Sequence, residues 1–272
     1  MTAPVTVPVL MYHAVAARPA DATYGLSVHP DRFAAQLELL AAEGFTTITV
    51  GELAAIRRGE ATAPERPVAL TFDDGYADFH REALPRLSAA GATGTLFVTT
   101  GWLDDAGPET AGHPLDRMLS WSQVAECDAA GIEVGAHSHS HAQLDQLPDA
   151  ALRDELARPR RLLAERLGHE VPHLAYPYGY SSARVRRAVA DAGYRLAASV
   201  GNFAAGPGAD GYALPRLTVA RDTGLDTFGR VVRGEHHARI YWKERTLTAG
   251  YLVVRRGRSA LSRSALAGRA RS

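Results

Sequence analysis

Short apolar runs alternate with amphipathic stretches along almost the whole chain. Residues 5–11 are apolar apart from Pro8 and predict a first strand, bent or exposed at the proline. Pro30 stands where a helix would begin, and Phe33, Leu37, Leu40 and Ala41 recur at helical spacing up to Gly44. Residues 45–50 predict a strand, 52–58 a short helix, and 68–71 a central strand. A helix over 76–90, a strand over 93–100 and a long, polar, glycine-bearing loop over 101–118 follow, the loop being long enough to cover a site. Ser120 caps a helix that ends near Gly131, and 132–136 is a strand. A long amphipathic helix spans 149–167, with Pro159 predicting a kink or break. Strands over 173–176, 194–199 and 212–219 are separated by a helix over 181–192, and a last helix covers 225–233. Strand, loop and helix, repeated about seven times, predict an α/β fold whose parallel sheet is closed, or nearly closed, into a barrel.

The 272 residues, 46% hydrophobic, suit one domain with a full core. The boundaries expected are a barrel over 1–250 and a basic, disordered tail over 251–272, where arginine recurs among Gly, Ser and Ala. A basic patch for membrane or RNA is the minority reading of that tail. Lys plus Arg and Asp plus Glu both number 30, so the balance suggests no nucleic-acid partner. The single cysteine, Cys127, excludes an intramolecular disulfide and reads as a small buried apolar residue. No run is long enough to span a bilayer, and the first residues lack a secretion signal, so a cytoplasmic location is expected.

Chemistry enters at strand ends. The central strand runs directly into Asp73-Asp74-Gly75-Tyr76. Adjacent carboxylates repel, and burying them is costly unless a cation or hydrogen bonds compensate. Asp-Gly alone is a common turn. A second apolar run, however, ends in His137-Ser-His139-Ser-His141, and carboxylate plus two imidazoles can hold a divalent metal. His13 follows the first strand and Tyr178 the sixth. In a parallel barrel the C-terminal strand ends meet at one mouth, so turn chemistry explains the set poorly.

Three motifs, Thr71-Phe-Asp-Asp-Gly75, His137-Ser-His-Ser-His141 and Ala175-Tyr-Pro-Tyr-Gly179, resemble in that order the NodB-type polysaccharide deacetylases, carbohydrate esterase family 4. The resemblance covers about residues 7–219. It implies a distorted (β/α) barrel that removes N- or O-acetyl groups from sugars with a divalent metal, often zinc. On it, Asp74, His137 and His141 are the metal ligands and Asp73 is the general base. The Tyr178 backbone N–H, after Pro177, helps stabilise the oxyanion, while the Tyr178 side chain forms a pocket wall. Zn²⁺ is the expected ion, with Co²⁺ or Ni²⁺ also suited to imidazole and carboxylate. His139 is expected to be a supporting or packing residue, and His80, His113, His169, His173, His236 and His237 receive no role.

The chain departs from the common family pattern twice. Ala175 stands where an Arg usually pairs with the base, and no Leu-x-His follows residue 219 to supply a general acid. Met11-Tyr12-His13 resembles the start of the poly-N-acetylglucosamine deacetylase subgroup, which makes His13 the expected acid. Arg216, on a late strand, is the candidate partner for Asp73, against a rim salt bridge. Trp102 is expected either to stack on a sugar ring or to anchor its loop.

The function expected is hydrolysis of the acetyl amide of N-acetylated sugars. A non-catalytic carbohydrate-binding barrel would need loss of a metal-ligating residue, and none is lost. A hydrolase of acetyl esters or non-sugar amides on the same fold is the other alternative.

Overall fold

The computed structural model describes residues 6–246. The expected basic tail therefore lies outside the described residues. The strands are β1 Val9–Tyr12, β2 Thr46–Ile48, β3 Pro67–Phe72, β4 Thr95–Val98, β5 Glu133–Ala136, β6 His173–Ala175, β7 Leu196–Ala198 and β8 Leu217–Thr218. Every strand pair is parallel. Seven follow the order β7-β6-β5-β4-β3-β1-β8, and β2 pairs with the start of β3 off that path. β1, β3 and β4 are buried along their whole length, as strands covered on both faces must be.

The sheet curls until its edges nearly meet. Leu214 bridges Ala198 of β7, and three residues later Leu217 pairs with Leu10 of β1. One segment thus touches both edges. It was expected as a strand over 212–219, but only Leu217–Thr218 is regular. Pro215 has no N–H to give to a ladder, which splits the run.

The helices are α1 Pro30–Ala42, α2 Val50–Arg58, α3 Leu84–Ala89, α4 Trp121–Ala129, α5 Asp149–Leu167, α6 Ala183–Asp191, α7 Leu225–Val232 and α8 His237–Ile240. The helix expected over 76–90 begins instead with a π-turn, Phe79–Ala83, before α3. Pro85 has no N–H for the i→i−4 ladder, so the chain enters α3 at a shifted register. Of the kink or break expected at Pro159, the break is not found, since α5 continues through it. Its ring is buried in the core face beside Leu156, Leu162 and Leu163, and that packing offsets the roughly 3 kcal/mol cost of an interior proline.

Beneath the mouth, Asp78 accepts a hydrogen bond from the Val15 N–H at 2.9 Å and ties the loop after β1 to the segment after β3. Burial above all, with nearby Asp116, pushes its carboxyl up to about 6. A folded-state value above the unfolded one means that this stability is complete below the unfolded pKa. It is lost as pH rises through about 6. Asp78→Asn keeps the acceptor without the charge. It is expected to raise unfolding stability by about 1–3 kcal/mol at pH 8 and leave it nearly unchanged at pH 4, measured by denaturant titration. Equal effects at both pH values would refute this account.

Candidate active site

Two strand ends and the entry to a third strand supply the cluster. β3 delivers Asp73 and Asp74, β5 delivers His137 with His141 four residues on, and the segment leading into β8 delivers Arg216. The local backbone is unusual: Asp74, Ser138, His141 and Tyr178 all have positive φ, between 60° and 76°. Left-handed backbone at non-glycine residues costs free energy, and four cases at one mouth point to side chains aimed under constraint. The turn over 138–141 is secured by its own polar groups. Ser138 Oγ accepts from the His141 N–H at 3.0 Å, and the Glu155 carboxylate accepts from the N–H groups of His139 and Ser140, both at 2.9 Å. Glu155 was missed in the sequence because a glutamate on the polar side of an amphipathic helix carries no distinguishing mark.

Asp74 Oδ1 lies 3.2 Å from His137 Nε2 and 3.3 Å from His141 Nε2. One ligand atom from each of the three residues falls within 4.8 Å of the others. These residues fit a metal for a specific reason. His137 Nδ1 lies 2.9 Å from the Ala175 carbonyl, which only accepts, so Nδ1 carries the proton. The neutral ring then turns the Nε2 lone pair toward a carboxylate oxygen that is buried and without a hydrogen-bond partner. Lone pairs converging in a buried place are relieved by a cation or a proton between them, so this donor set fits a metal.

Asp73 faces a different environment. Arg216 donates to both its oxygens, Nη1 to Oδ1 at 2.6 Å and Nη2 to Oδ2 at 2.7 Å. The guanidinium is 0% exposed. Its remaining donors reach Thr71 Oγ1 at 3.1 Å and the Ser199 carbonyl at 3.2 Å, and the Thr71 hydroxyl donates to the Leu10 carbonyl at 2.8 Å. The pair is thus a buried bidentate fork rather than a rim salt bridge. Burial raises the Asp73 carboxyl, but Arg216 first and His137 second bring it below its ordinary value. The two adjacent aspartates therefore differ in partner. One faces imidazoles with a bare oxygen, and the other is locked as a carboxylate.

His13 follows β1 at the same mouth and is half-buried, with Nδ1 lacking a partner. Burial pulls its pKa down while Asp74 and Asp73 pull it up, and the net direction is down. Tyr178 is 50% exposed, with Pro177 buried behind it. Its ring centroid is 4.7 Å from that of His141. Trp102 is 6% exposed, which leaves no free face for a sugar ring; the indole lies 4.7 Å from the His141 ring instead. His139 donates to or accepts from Thr100 Oγ1 at 2.9 Å through Nδ1, on the loop side of the turn. The loop over 101–118 is sewn to the ligand-bearing segments by Gly101 N–H to the His139 carbonyl, Leu119 N–H to the Gly75 carbonyl and Ala77 N–H to the Arg117 carbonyl. Of the histidines set aside, His173 pairs with Glu133 along the strands, and His237 Nε2 lies 2.8 Å from the Val231 carbonyl.

A profile of the polysaccharide deacetylase family matches residues 60–197. YxkH of Bacillus subtilis, described as a polysaccharide deacetylase, is 26% identical over 229 residues, 84% of this chain and 77% of its own. The poly-β-1,6-N-acetyl-D-glucosamine N-deacetylase of Staphylococcus aureus is 24% identical over 205 residues, 72% of this chain and 69% of its own. Among solved structures, the Streptococcus pyogenes deacetylase PplD, in complex with acetate, superposes with a TM-score of 0.75 at 25% identity, over 84% of this chain and 99% of that one. IcaB from Ammonifex degensii shares the fold, with a TM-score of 0.70 at 24% identity over 84% and 97%. The expected distorted barrel is therefore the fold found. The match runs from before β3 into β7, over the segments that carry Asp73, Asp74, His137, His141 and Tyr178, and on that match the chain belongs to the polysaccharide deacetylase family.

Proposed function

We propose that this protein is a metal-dependent hydrolase that removes acetyl groups from N-acetylated sugars. The observation that carries the reading is the cluster of Asp74, His137 and His141, with Asp74 Oδ1 buried and unpartnered, beside an adjacent carboxylate, Asp73, kept ionised by Arg216. Acetylated amino sugars are favoured as substrate because a relative with 24% identity is named a poly-N-acetylglucosamine N-deacetylase. No helix among the described residues is long and apolar enough to cross a membrane.

In this reading Asp74, His137 and His141 hold a divalent cation, Zn²⁺ first and Co²⁺ or Ni²⁺ next by donor type. When bound, that ion supplies Lewis acidity toward the acetyl carbonyl and makes a water easier to deprotonate. Asp73 accepts the proton of the attacking water. The Tyr178 N–H donates to the oxygen that gains charge, and the Tyr178 ring walls the pocket. His13 gives a proton to the departing amine nitrogen. Arg216 keeps Asp73 ionised and fixes its plane.

The deciding experiment measures acetate released from a panel of N-acetylated amino sugars by protein stripped of metal and then reloaded. Stripping is expected to abolish release, and Zn²⁺ or Co²⁺ to restore it. Full activity in protein shown metal-free by elemental analysis would end the metal-dependent reading. Release from acetyl esters alone would move the substrate class to esters.

Arg216→Met tests the fork. Leaving Asp73 buried without its partner is expected to cost about 3–5 kcal/mol of stability at neutral pH. Because Arg216 favours the carboxylate, its loss raises the Asp73 pKa, so the acidic limb of the pH–rate profile moves to higher pH. An unmoved limb with the same loss of stability would make Arg216 scaffold only.

A further inference from the structure

The two ligand histidines are oriented by different means. His137 has its ring set by the Nδ1–H on the Ala175 carbonyl, the arrangement that normally fixes the tautomer and plane of a metal-binding imidazole. His141 has no such bond among the described residues. Its Nε2 faces Asp74, and its other polar contact among the described residues is the backbone N–H on Ser138 Oγ. The backbone is thereby fixed, at φ 60°, but the ring remains free to turn about χ2.

Two aromatic rings remove that freedom. The Trp102 centroid lies 4.7 Å from that of His141 at an interplanar angle of 34°, and the Tyr178 centroid lies 4.7 Å away at 61°. Trp102 is itself immobilised. It is buried in a small cluster with Ala14, Tyr76 and Met118. Gly112 closes over its edge: a Cβ there would come within 2.5 Å of the indole Nε1 and 2.3 Å of the Ser140 carbonyl oxygen. The indole N–H is buried without an acceptor, an arrangement that costs about 1–3 kcal/mol.

We infer that Trp102, with Tyr178 as the second ring, is a positioning residue that sets the plane of His141 toward the metal, in place of the usual hydrogen bond. The inference rests on the metal-dependent reading above. It gives Trp102 a role toward the metal and removes it from sugar stacking. It also makes the half-exposed Tyr178 ring part of the support of His141.

The test is titration of metal-free protein with Co²⁺, reading the dissociation constant and the visible absorption bands, which report ligand geometry. Wild type, Trp102→Phe, Trp102→Leu and Tyr178→Leu are compared, with thermal unfolding of each metal-free form. Trp102→Leu and Tyr178→Leu are expected to bind about 10-fold or more weakly with altered bands, as when a supporting partner of a metal-bound histidine is lost. Trp102→Phe, which keeps an aromatic face, is expected to restore most of the affinity and the wild-type bands. A general packing defect would lower the unfolding temperature without changing the bands. If Trp102→Leu fails to fold, Tyr178→Leu, at an exposed position, carries the test alone. Wild-type affinity and bands in a folded Leu variant would overturn the clamp while leaving the metal site intact. Wild-type protein that binds no Co²⁺ would remove the metal-dependent reading, and this inference with it.

Discussion

Asp73→Asn is expected to retain metal and lose turnover by roughly two to four orders of magnitude. Asn is close to Asp in shape, and one of its two polar atoms still accepts from Arg216. What it lacks is the ability to take a proton from water. Asp74→Asn puts a neutral amide in place of the carboxylate whose Oδ1 lies 3.2 and 3.3 Å from the His137 and His141 imidazoles, and is expected to lose the metal itself. The two neighbouring substitutions thus separate chemistry from binding. Elemental analysis of each purified variant, beside its rate of acetate release, reads both quantities. Because Asp73→Asn also leaves Arg216 buried without a countercharge, folding must be checked at the assay temperature. Normal metal content in both variants, with only Asp74→Asn inactive, would exchange the roles.

The parts of the site that were legible in the sequence share one property. Asp73, Asp74, His13, His137 and Tyr178 each follow an apolar run, and in a parallel sheet that position alone sends them to one mouth. Arg216 was legible from the gap at Ala175 and its place on a late strand: from the segment leading into β8 its guanidinium reaches both oxygens of Asp73. What stayed hidden depends on tertiary contact. Pro159 carries the same local penalty in any helix, and only its burial among leucines explains why α5 runs on. Pro85 and Pro215 were overlooked as breakers, which lengthened one helix and one strand too far. The residue type of Trp102 left two roles open, stacking on a sugar and anchoring its loop. Whether an indole turns toward solvent or toward His141 is decided by the loop that closes over it at Gly112, and no periodicity records that.

His13→Ala is expected to cripple cleavage of an N-acetyl sugar by about two to four orders of magnitude while costing far less on a nitrophenyl acetate. Amide hydrolysis expels an amine, which departs only as it takes a proton, whereas nitrophenolate needs none. His13 stands at the right end of β1, and both aspartates act on its charge. Of the later histidines, His236 and His237, the second has Nε2 2.8 Å from the Val231 carbonyl on α7. The pKa direction sharpens the expectation. Burial lowers the His13 value more than Asp74 and Asp73 raise it, so the proton-bearing form is lost below the usual histidine range as pH rises. Asp73, held below its ordinary value, is ionised well before that point. The amide reaction therefore needs a window bounded below by Asp73 and above by His13, and its alkaline limb falls on the acid side of an ordinary histidine. The activated ester, independent of the acid, keeps the lower limb and loses the upper one. Both pH profiles, measured on wild type and His13→Ala at saturating metal, decide the matter. Equal losses on the two substrates would reduce His13 to a positional role, and an alkaline limb present on the ester as well would assign that limb to another group.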